Sequence, residues 1–332
     1  MDAQPFLRFC EEAAPVSHGQ NLQDLFCLWA SGLKRDGYFV EFGALAGRNV
    51  SNSWLLEQLG WNGIVAEPHP DYSELLHANR ACNVSTDCVW KTTGETVTFK
   101  AVKGRPALSG IGGLDYDDQQ ARRGLRDNFI EHKVRTISLV DLLKQFDAPK
   151  EIDCLSIDTE GSELEILRSF DFSAYRFGTI VAEHSFSSHR EPIREVLNAA
   201  GYYRIWTDMS DHDDWFVHAS YADEFRASLE AMPAVLAALS DLECSDNEEE
   251  RLVRLSSMML GRDMPEAALR CAKMAALLYP EAFRAQLGLA QMAAQLVRTR
   301  EAIVAYRKAI KLNPGFAQAK NQLARLEEKA RG

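Results

Sequence analysis

Glu41-Phe-Gly-Ala-Leu-Ala-Gly47 joins two apolar segments and decides the fold of the first two thirds of the chain. The run before it, Tyr38–Phe42, is typical of a buried strand, and residues 50–59 after it have the spacing of a helix. A second apolar run, residues 63–66, ends at the acidic residue Glu67. This order of strand, glycine turn, helix, strand and acid is the layout of a nucleoside-binding βαβ unit, so it predicts a Rossmann-like α/β sheet.

The glycine turn reads E-x-G-x-x-x-G and lacks the G-x-G-x-x-G spacing of dinucleotide sites. A dinucleotide needs a helix N-terminus that can hold pyrophosphate, whereas S-adenosylmethionine carries no phosphate and suits an acid-bounded turn. A nicotinamide-dependent oxidoreductase is therefore disfavoured, and a domain that uses glycine only to turn tightly is the plainer alternative. The predicted cofactor-binding residues are Glu41, Gly43, Ala44, Gly47, Glu67, Pro68 and Asp158.

Two further strands are predicted to end in acids. Residues 152–157 precede the carboxylates Asp158, Glu160 and Glu163, and residues 179–182 precede Glu183. Carboxyl ends of parallel strands share one edge of a sheet, where ligands bind. Acids gathered at one edge repel each other unless a cation or bound donors hold them, so the pattern predicts a binding site.

Several of these stretches, taken in order, resemble the FkbM family of S-adenosylmethionine-dependent methyltransferases over roughly residues 36 to 220. The most specific is the D-x-E-G-x-E stretch at residues 158–163. The others are Val-Glu-Phe-Gly-Ala (40–44), Ala-Glu-Pro-His-Pro (66–70), Ala-Asn (78–79), Leu-Ser-Gly (108–110), Val-Ala-Glu-His (181–184) and Ala-Gly-Tyr (200–202). The resemblance implies an O-methyltransferase acting on a hydroxyl of a sugar, glycan or secondary metabolite. The family often has Asp at the position of Glu41.

Methyl transfer to a hydroxyl needs a group that takes up the hydroxyl proton or lowers its pKa. The candidate catalytic residues are Asp158, Glu160, Glu183 and His184. Carboxylate oxygens also suit Mg²⁺ or Mn²⁺, so a metal held by Asp158, Glu160 and Glu183 is a second route that the sequence leaves open. The plainer interpretation of His184 is a structural role, and Ser162 with Glu165 fits a helix capping box.

Bulk properties limit the partners. A formal net charge of −11 disfavours nucleic acid and anionic lipid. No apolar run reaches the length of a membrane span, and the first residues lack a signal-peptide pattern. Seven scattered cysteines without C-x-x-C argue against a disulfide framework or a zinc site. We therefore expect a cytoplasmic protein, and the family resemblance implies a small-molecule or glycan acceptor.

Three regions are predicted: an N-terminal helical segment (1–36), a methyltransferase domain (37–220) and an all-α domain (221–332). The middle region is predicted to be a mostly parallel sheet with an antiparallel last strand. Within it, the glycine-rich residues 108–113 are either a lid over the acceptor or a surface connection.

The C-terminal region shows a period of 34 residues between Pro280 and Pro314, which resembles tetratricopeptide repeats. Such repeats predict a homodimer contact or a protein partner. The alternative function is a scaffold protein whose repeats bind a partner and whose methyltransferase fold is inactive.

Overall fold

The chain forms two compact units. The structure, a computed structural model, describes residues 2–114, 123–243 and 248–331. One unit spans residues 18–238, and the other combines residues 1–17 with residues 239–332. The first contains both sheets, and the second contains helices only among its described residues.

A seven-stranded sheet organises the first unit, in the order β10-β11-β9-β8-β1-β2-β3. Its pairings are parallel except those of β11, which runs antiparallel to β9 and β10, as predicted. The strands are β1 (Tyr38–Phe42), β2 (Asn62–Ala66), β3 (Asn83–Ser85), β8 (Glu151–Ile157), β9 (Arg176–Glu183), β10 (Tyr202–Ile205) and β11 (Asp213–His218). The central strands are buried almost throughout because helices cover them, so they read as apolar runs.

A smaller four-stranded sheet has the order β4-β7-β5-β6. Its strands are β4 (Cys88–Trp90), β5 (Thr96–Val102), β6 (Gly110–Ile111) and β7 (Phe129–Ser138). Residues 83–90 contain two short strands, β3 and β4, which belong to different sheets. The predicted loop segment at residues 115–118 lies outside the described residues.

The first six helices of this unit have 5 to 10 residues each, and the last has 18. They are α2 (Gln23–Ala30), α3 (Trp54–Gln58), α4 (Ser73–Asn79), α5 (Leu139–Gln145), α6 (Glu163–Ser169), α7 (Arg190–Ala199) and α8 (Ala222–Leu239). The helix predicted over residues 50–59 is reduced to α3, because Ser51, Asn52 and Ser53 donate hydrogen bonds to Glu41 instead of joining the helix.

The second unit contains α1 (Gln4–Ala13), α9 (Glu248–Gly261), α10 (Pro265–Leu278), α11 (Phe283–Gln295), α12 (Thr299–Leu312) and α13 (Ala317–Arg331). From α9 onward, consecutive helices pack together. The first helix joins this unit, where Glu11 pairs with Arg270 at 2.6 Å, whereas the sequence grouped it with α2 in residues 1–36. Its buried face of Phe6, Leu7, Phe9 and Cys10 explains this placement.

Two remaining expectations concern cysteines and membrane spans. Cys27 on α2 and Cys154 on β8 are joined by a disulfide, contrary to the expectation of unpaired cysteines. Sequence spacing could not reveal this pair because 127 residues separate its members. Among the described residues, none of the helices has both the length and the apolar character required to cross a bilayer.

Candidate active site

The glycine turn brings the ends of β1 and β8 into direct contact. Gly43 has a φ of +77°, and its N–H donates to the Ala66 carbonyl at 3.1 Å. A Cβ atom at Gly43 would lie 1.8 Å from the carbonyl oxygen of Asp158. Only glycine allows this approach, so the turn presents bare backbone beside Asp158, the residue that follows β8.

Glu67 follows β2 and faces a cavity from a buried position. Its two carboxylate oxygens accept one backbone N–H each, from Leu45 at 2.9 Å and from His69 at 2.8 Å. Burial raises the pKa of Glu67 above its ordinary value. Each oxygen keeps a further lone pair, so the residue can accept two hydroxyl donors side by side.

The cavity, of about 210 Å³, lies at the carboxyl edge of the large sheet. Most of the predicted site residues line it, namely Gly43, Ala44, Glu67, Pro68, Asp158, Glu160 and Glu183. Three predicted residues, Glu41, Gly47 and His184, are not among the described residues that line it.

Three carboxyl groups meet inside this cavity. Oxygen atoms of Asp158, Glu160 and Glu183 lie within 4.8 Å of one another. Asp158 and Glu183 are close enough that one proton held between them would avoid two neighbouring negative charges in this enclosed site. Burial first, and then the neighbouring carboxylates, raise the pKa of both residues well above the ordinary range.

Hydrogen bonds from several segments hold these acids in place. Glu160 forms an ion pair with Arg126, and Glu183 accepts a hydrogen bond from Ser185 Oγ at 2.5 Å. A fourth acid, Asp213 at the start of β11, accepts from Gln23 Nε2 at 2.6 Å. The cluster is therefore a fixed arrangement of charge, built by residues that are distant in sequence.

Glu163 shapes the turn that carries Asp158 and Glu160. Its Oε1 accepts from the Thr159 backbone N–H at 2.8 Å, and the Gly161 N–H donates to Oε2 at 3.0 Å. The predicted capping box is not formed, because Ser162 Oγ donates to Thr159 Oγ1 at 2.8 Å. The D-x-E-G-x-E stretch thus uses its last acid to fold the turn.

Glu41 stabilises the loop after β1. It accepts hydrogen bonds from Ser51 Oγ at 2.8 Å, Asn52 N at 2.6 Å and Ser53 Oγ at 2.5 Å, and the Arg80 guanidinium lies 3.4 Å away. These contacts engage both carboxylate oxygens. The contacts of Glu41 thus stabilise the loop of residues 51–53.

His184 is buried beside β11. Its Nδ1 accepts a hydrogen bond from the Phe186 N–H at 3.0 Å, and its Nε2 lies 3.7 Å from Asp214 Oδ1. Burial lowers the pKa of His184 to about 4, so the imidazole is neutral at neutral pH. The structure does not bring this histidine together with the three carboxyl groups.

Sequence reasoning missed several residues that line the cavity. They are Gln20, Gln23, Asn49, Asn52, Ser185, His212 and Asp213. His212 and Asp213 belong to the stretch Asp211-His-Asp-Asp214, whose density of acids and histidine is the sequence signal that could have indicated a site. Residues 106–111 also line the cavity, so part of the glycine-rich segment belongs to its wall.

The cavity lining is acidic. It contains Glu67, Asp158, Glu160, Glu183 and Asp213, and no lysine or arginine among the described residues. Such a lining attracts a cation and disfavours phosphate or carboxylate groups.

Comparison with known proteins agrees with this geometry. The model of the methyltransferase FkbM domain matches residues 41–220, which is more than half of the chain and contains both sheets except the first residues of β1. A search of curated proteins finds no match. The domain match confirms the resemblance drawn from the sequence, and the chain belongs to the FkbM methyltransferase family.

Proposed function

We propose that the protein is an S-adenosylmethionine-dependent O-methyltransferase acting on a hydroxyl of a sugar, glycan or secondary metabolite. The observation that carries this proposal is the position of Glu67, a buried carboxylate on the cavity wall with one backbone donor on each oxygen. Two ribose hydroxyls would complete its hydrogen bonds. The acidic lining suits the positive sulfonium, so the residues present fit this cofactor.

The chemistry needs a proton acceptor beside the reacting hydroxyl. Bound S-adenosylmethionine supplies a methyl group whose C–S bond breaks as the new C–O bond forms. The Asp158–Glu183 pair shares one proton and therefore carries one ionised carboxylate, which takes up the proton that the hydroxyl loses. The raised pKa of the pair makes it a stronger base than an exposed carboxylate. Glu160 is held by its ion pair with Arg126, and its charge contributes to the electrostatic potential at the Asp158–Glu183 pair.

Replacing Glu67 by alanine should weaken the binding of S-adenosylmethionine about a hundredfold. The change removes two charge-assisted hydrogen bonds to hydroxyls, which together contribute about 3 kcal/mol. Isothermal titration with S-adenosylmethionine and S-adenosylhomocysteine measures the effect. Glu74→Ala, an exposed acid on α4, is the matched control and should bind like the parent. Equal affinity in Glu67→Ala and the parent, or no binding by the parent, would contradict the proposed function.

We infer that the proton route operates without a divalent metal. A cation held by Asp158, Glu160 and Glu183 would compete with the Asp158–Glu183 hydrogen bond and with the Glu160–Arg126 ion pair. Titration of the chelator-treated protein with Mn²⁺ is therefore expected to show no saturable binding at this cluster. Saturable binding that Glu183→Gln abolishes would instead support the metal route to hydroxyl activation.

For the helical unit, we propose tetratricopeptide-like repeats that serve self-association or bind a protein partner. Helices α10 and α12 begin 34 residues apart, at Pro265 and Thr299, as do α11 and α13. Residues that this period pairs are buried in both copies: Ala268 with Ala302, Ala272 with Tyr306 and Ala275 with Ala309. The period and the shared buried positions are what support this proposal.

A further inference from the structure

A strip of basic residues lies on the small sheet and the turn that follows it. We define the basic strip as Lys100, Lys103, Arg105, Lys133 and Arg135. The strand segments that carry it, residues 96–105 and 129–135, contain only one acid, Glu131. The strip is thus a positive region in a chain whose formal net charge is −11.

The strand register places three of these cations on one face. Thr98 pairs with Lys133, Lys100 pairs with Glu131, and Arg135 pairs with Thr96. Paired residues of antiparallel strands and residues two positions apart share a face, so Lys100, Lys133 and Arg135 project together. Along β7 the two basic residues are about 7 Å apart.

Local contacts fix this face and leave it open to solvent. Lys133 Nζ donates to Thr98 Oγ1 at 2.6 Å, and Lys100 Nζ lies 4.4 Å from the centre of the Phe129 ring. Lys133 and Arg135 are exposed, as are Lys103 and Arg105 in the turn after β5. The opposite face of β5 carries Phe99, which lines the cavity.

The basic strip ends where the cavity wall begins. Arg105 directly precedes Pro106, the first residue of the wall segment 106–111. The two regions have opposite charge, because the described lining of the cavity contains five acids and no lysine or arginine. A ligand that spans both would keep its anionic groups outside and place an uncharged hydroxyl inside.

We propose that the basic strip binds a linear glycan that carries carboxylate groups along its length. A row of cations along the strands matches a polymer with regularly spaced negative charge, and the exposed face of the small sheet offers room for an extended chain. An anionic membrane is a poorer partner, because its plane would also face acidic surface of this chain, whereas a single extended polymer can follow the basic strip alone. The binding step is independent of catalysis, whereas the identification of this glycan as the methyl acceptor rests on the proposed function.

Polygalacturonate is a suitable probe, with neutral dextran as the comparison polymer. Binding is measured by biolayer interferometry on the full chain, at about 20 mM and about 300 mM NaCl, because screening separates charge-driven binding from other contacts. The parent should bind polygalacturonate at low salt and lose at least about tenfold in affinity at high salt. It should show no binding to dextran at either salt concentration.

The test variant reverses three exposed cations of the strip: Lys103→Glu, Lys133→Glu and Arg135→Glu. Its matched control reverses three exposed lysines of the helical unit: Lys311→Glu, Lys320→Glu and Lys329→Glu. A loss of at least about tenfold in the first variant, with the second within about twofold of the parent, supports the proposal. Equal losses in both variants, no binding by the parent at low salt, or tighter binding to phosphatidylserine vesicles than to polygalacturonate would overturn it.

The outcome is distinguishable from a failure of the proposed function. Polygalacturonate binding needs no cofactor, so it can persist in a protein that does not bind S-adenosylmethionine. Conversely, the protein can bind S-adenosylmethionine through Glu67 even if the basic strip binds no polygalacturonate.

Discussion

Gly43→Ala is expected to abolish cofactor binding and to lower the free energy of unfolding by about 3 kcal/mol or more. The new Cβ would lie 1.8 Å from the carbonyl oxygen of Asp158, so β1 and β8 must separate at the edge that forms the site. The φ of +77° adds strain, because alanine in the left-handed region costs about 1–2 kcal/mol. Urea denaturation measures the stability, and titration with S-adenosylhomocysteine measures the loss of the site.

Gly94→Ala separates the two causes. Gly94 also has a left-handed backbone, with a φ of +87°, but a Cβ there would have no atom within 4 Å. This variant should show only the backbone strain, about 1 kcal/mol, and normal cofactor affinity. If both variants lose the same stability and both still bind the cofactor, the contact between Gly43 and β8 does not shape the site.

The sequence predicted the scaffold of this site because its signals are local. Apolar runs that end in an acid or glycine mark the carboxyl ends of buried parallel strands. Glu67, Asp158 and Glu183 each follow such a run directly, and the sheet then brings all three to one cavity. Their convergence follows from strand direction alone.

The remaining contacts depend on side chains that meet across long separations. Gln23 donates a hydrogen bond to Asp213, which is 190 residues away in sequence, and Asn52 donates one to Ser156, which is 104 residues away. No short pattern encodes such pairs. Glu41 shows the same limit of sequence reasoning. The sequence predicted that it contacts the cofactor, whereas in the structure its carboxylate oxygens accept hydrogen bonds from the following loop and lie near Arg80. The position of a strand end was predictable, but the direction in which its acid points was not.

Asp158→Asn is expected to stabilise the protein without cofactor while impairing methyl transfer. Glu183 is buried and Asp158 is half-buried beside it, and Glu160, Glu163 and Asp213 add further negative charge around Asp158. An asparagine amide can donate to an ionised Glu183, so the hydrogen bond survives without the shared proton. The gain at neutral pH should be about 1–3 kcal/mol, because removing one of two crowded carboxyl groups relieves their repulsion and desolvation.

The pH dependence of unfolding tests the shared proton directly. In the native state the pKa of the pair is raised, whereas in the unfolded chain each carboxyl titrates near 4. Between these values the native protein binds more protons than the unfolded chain. The contribution of the pair to stability is therefore full below about pH 4 and declines as the pH rises toward the native pKa, by up to about 1.4 kcal/mol per pH unit for one proton.

Asp158→Asn should flatten this decline, while Asp36→Asn, an exposed acid before β1, should follow the parent curve. Urea denaturation from about pH 4 to pH 8 supplies the three curves, which are compared over the range where the unfolded chain has lost the proton that the native pair still holds. Parallel curves for Asp158→Asn and the parent would mean that the pair holds no extra proton. Since that proton occupies the position from which the pair is proposed to act as a base, the same result would remove the main physical support for a carboxylate-driven O-methyl transfer.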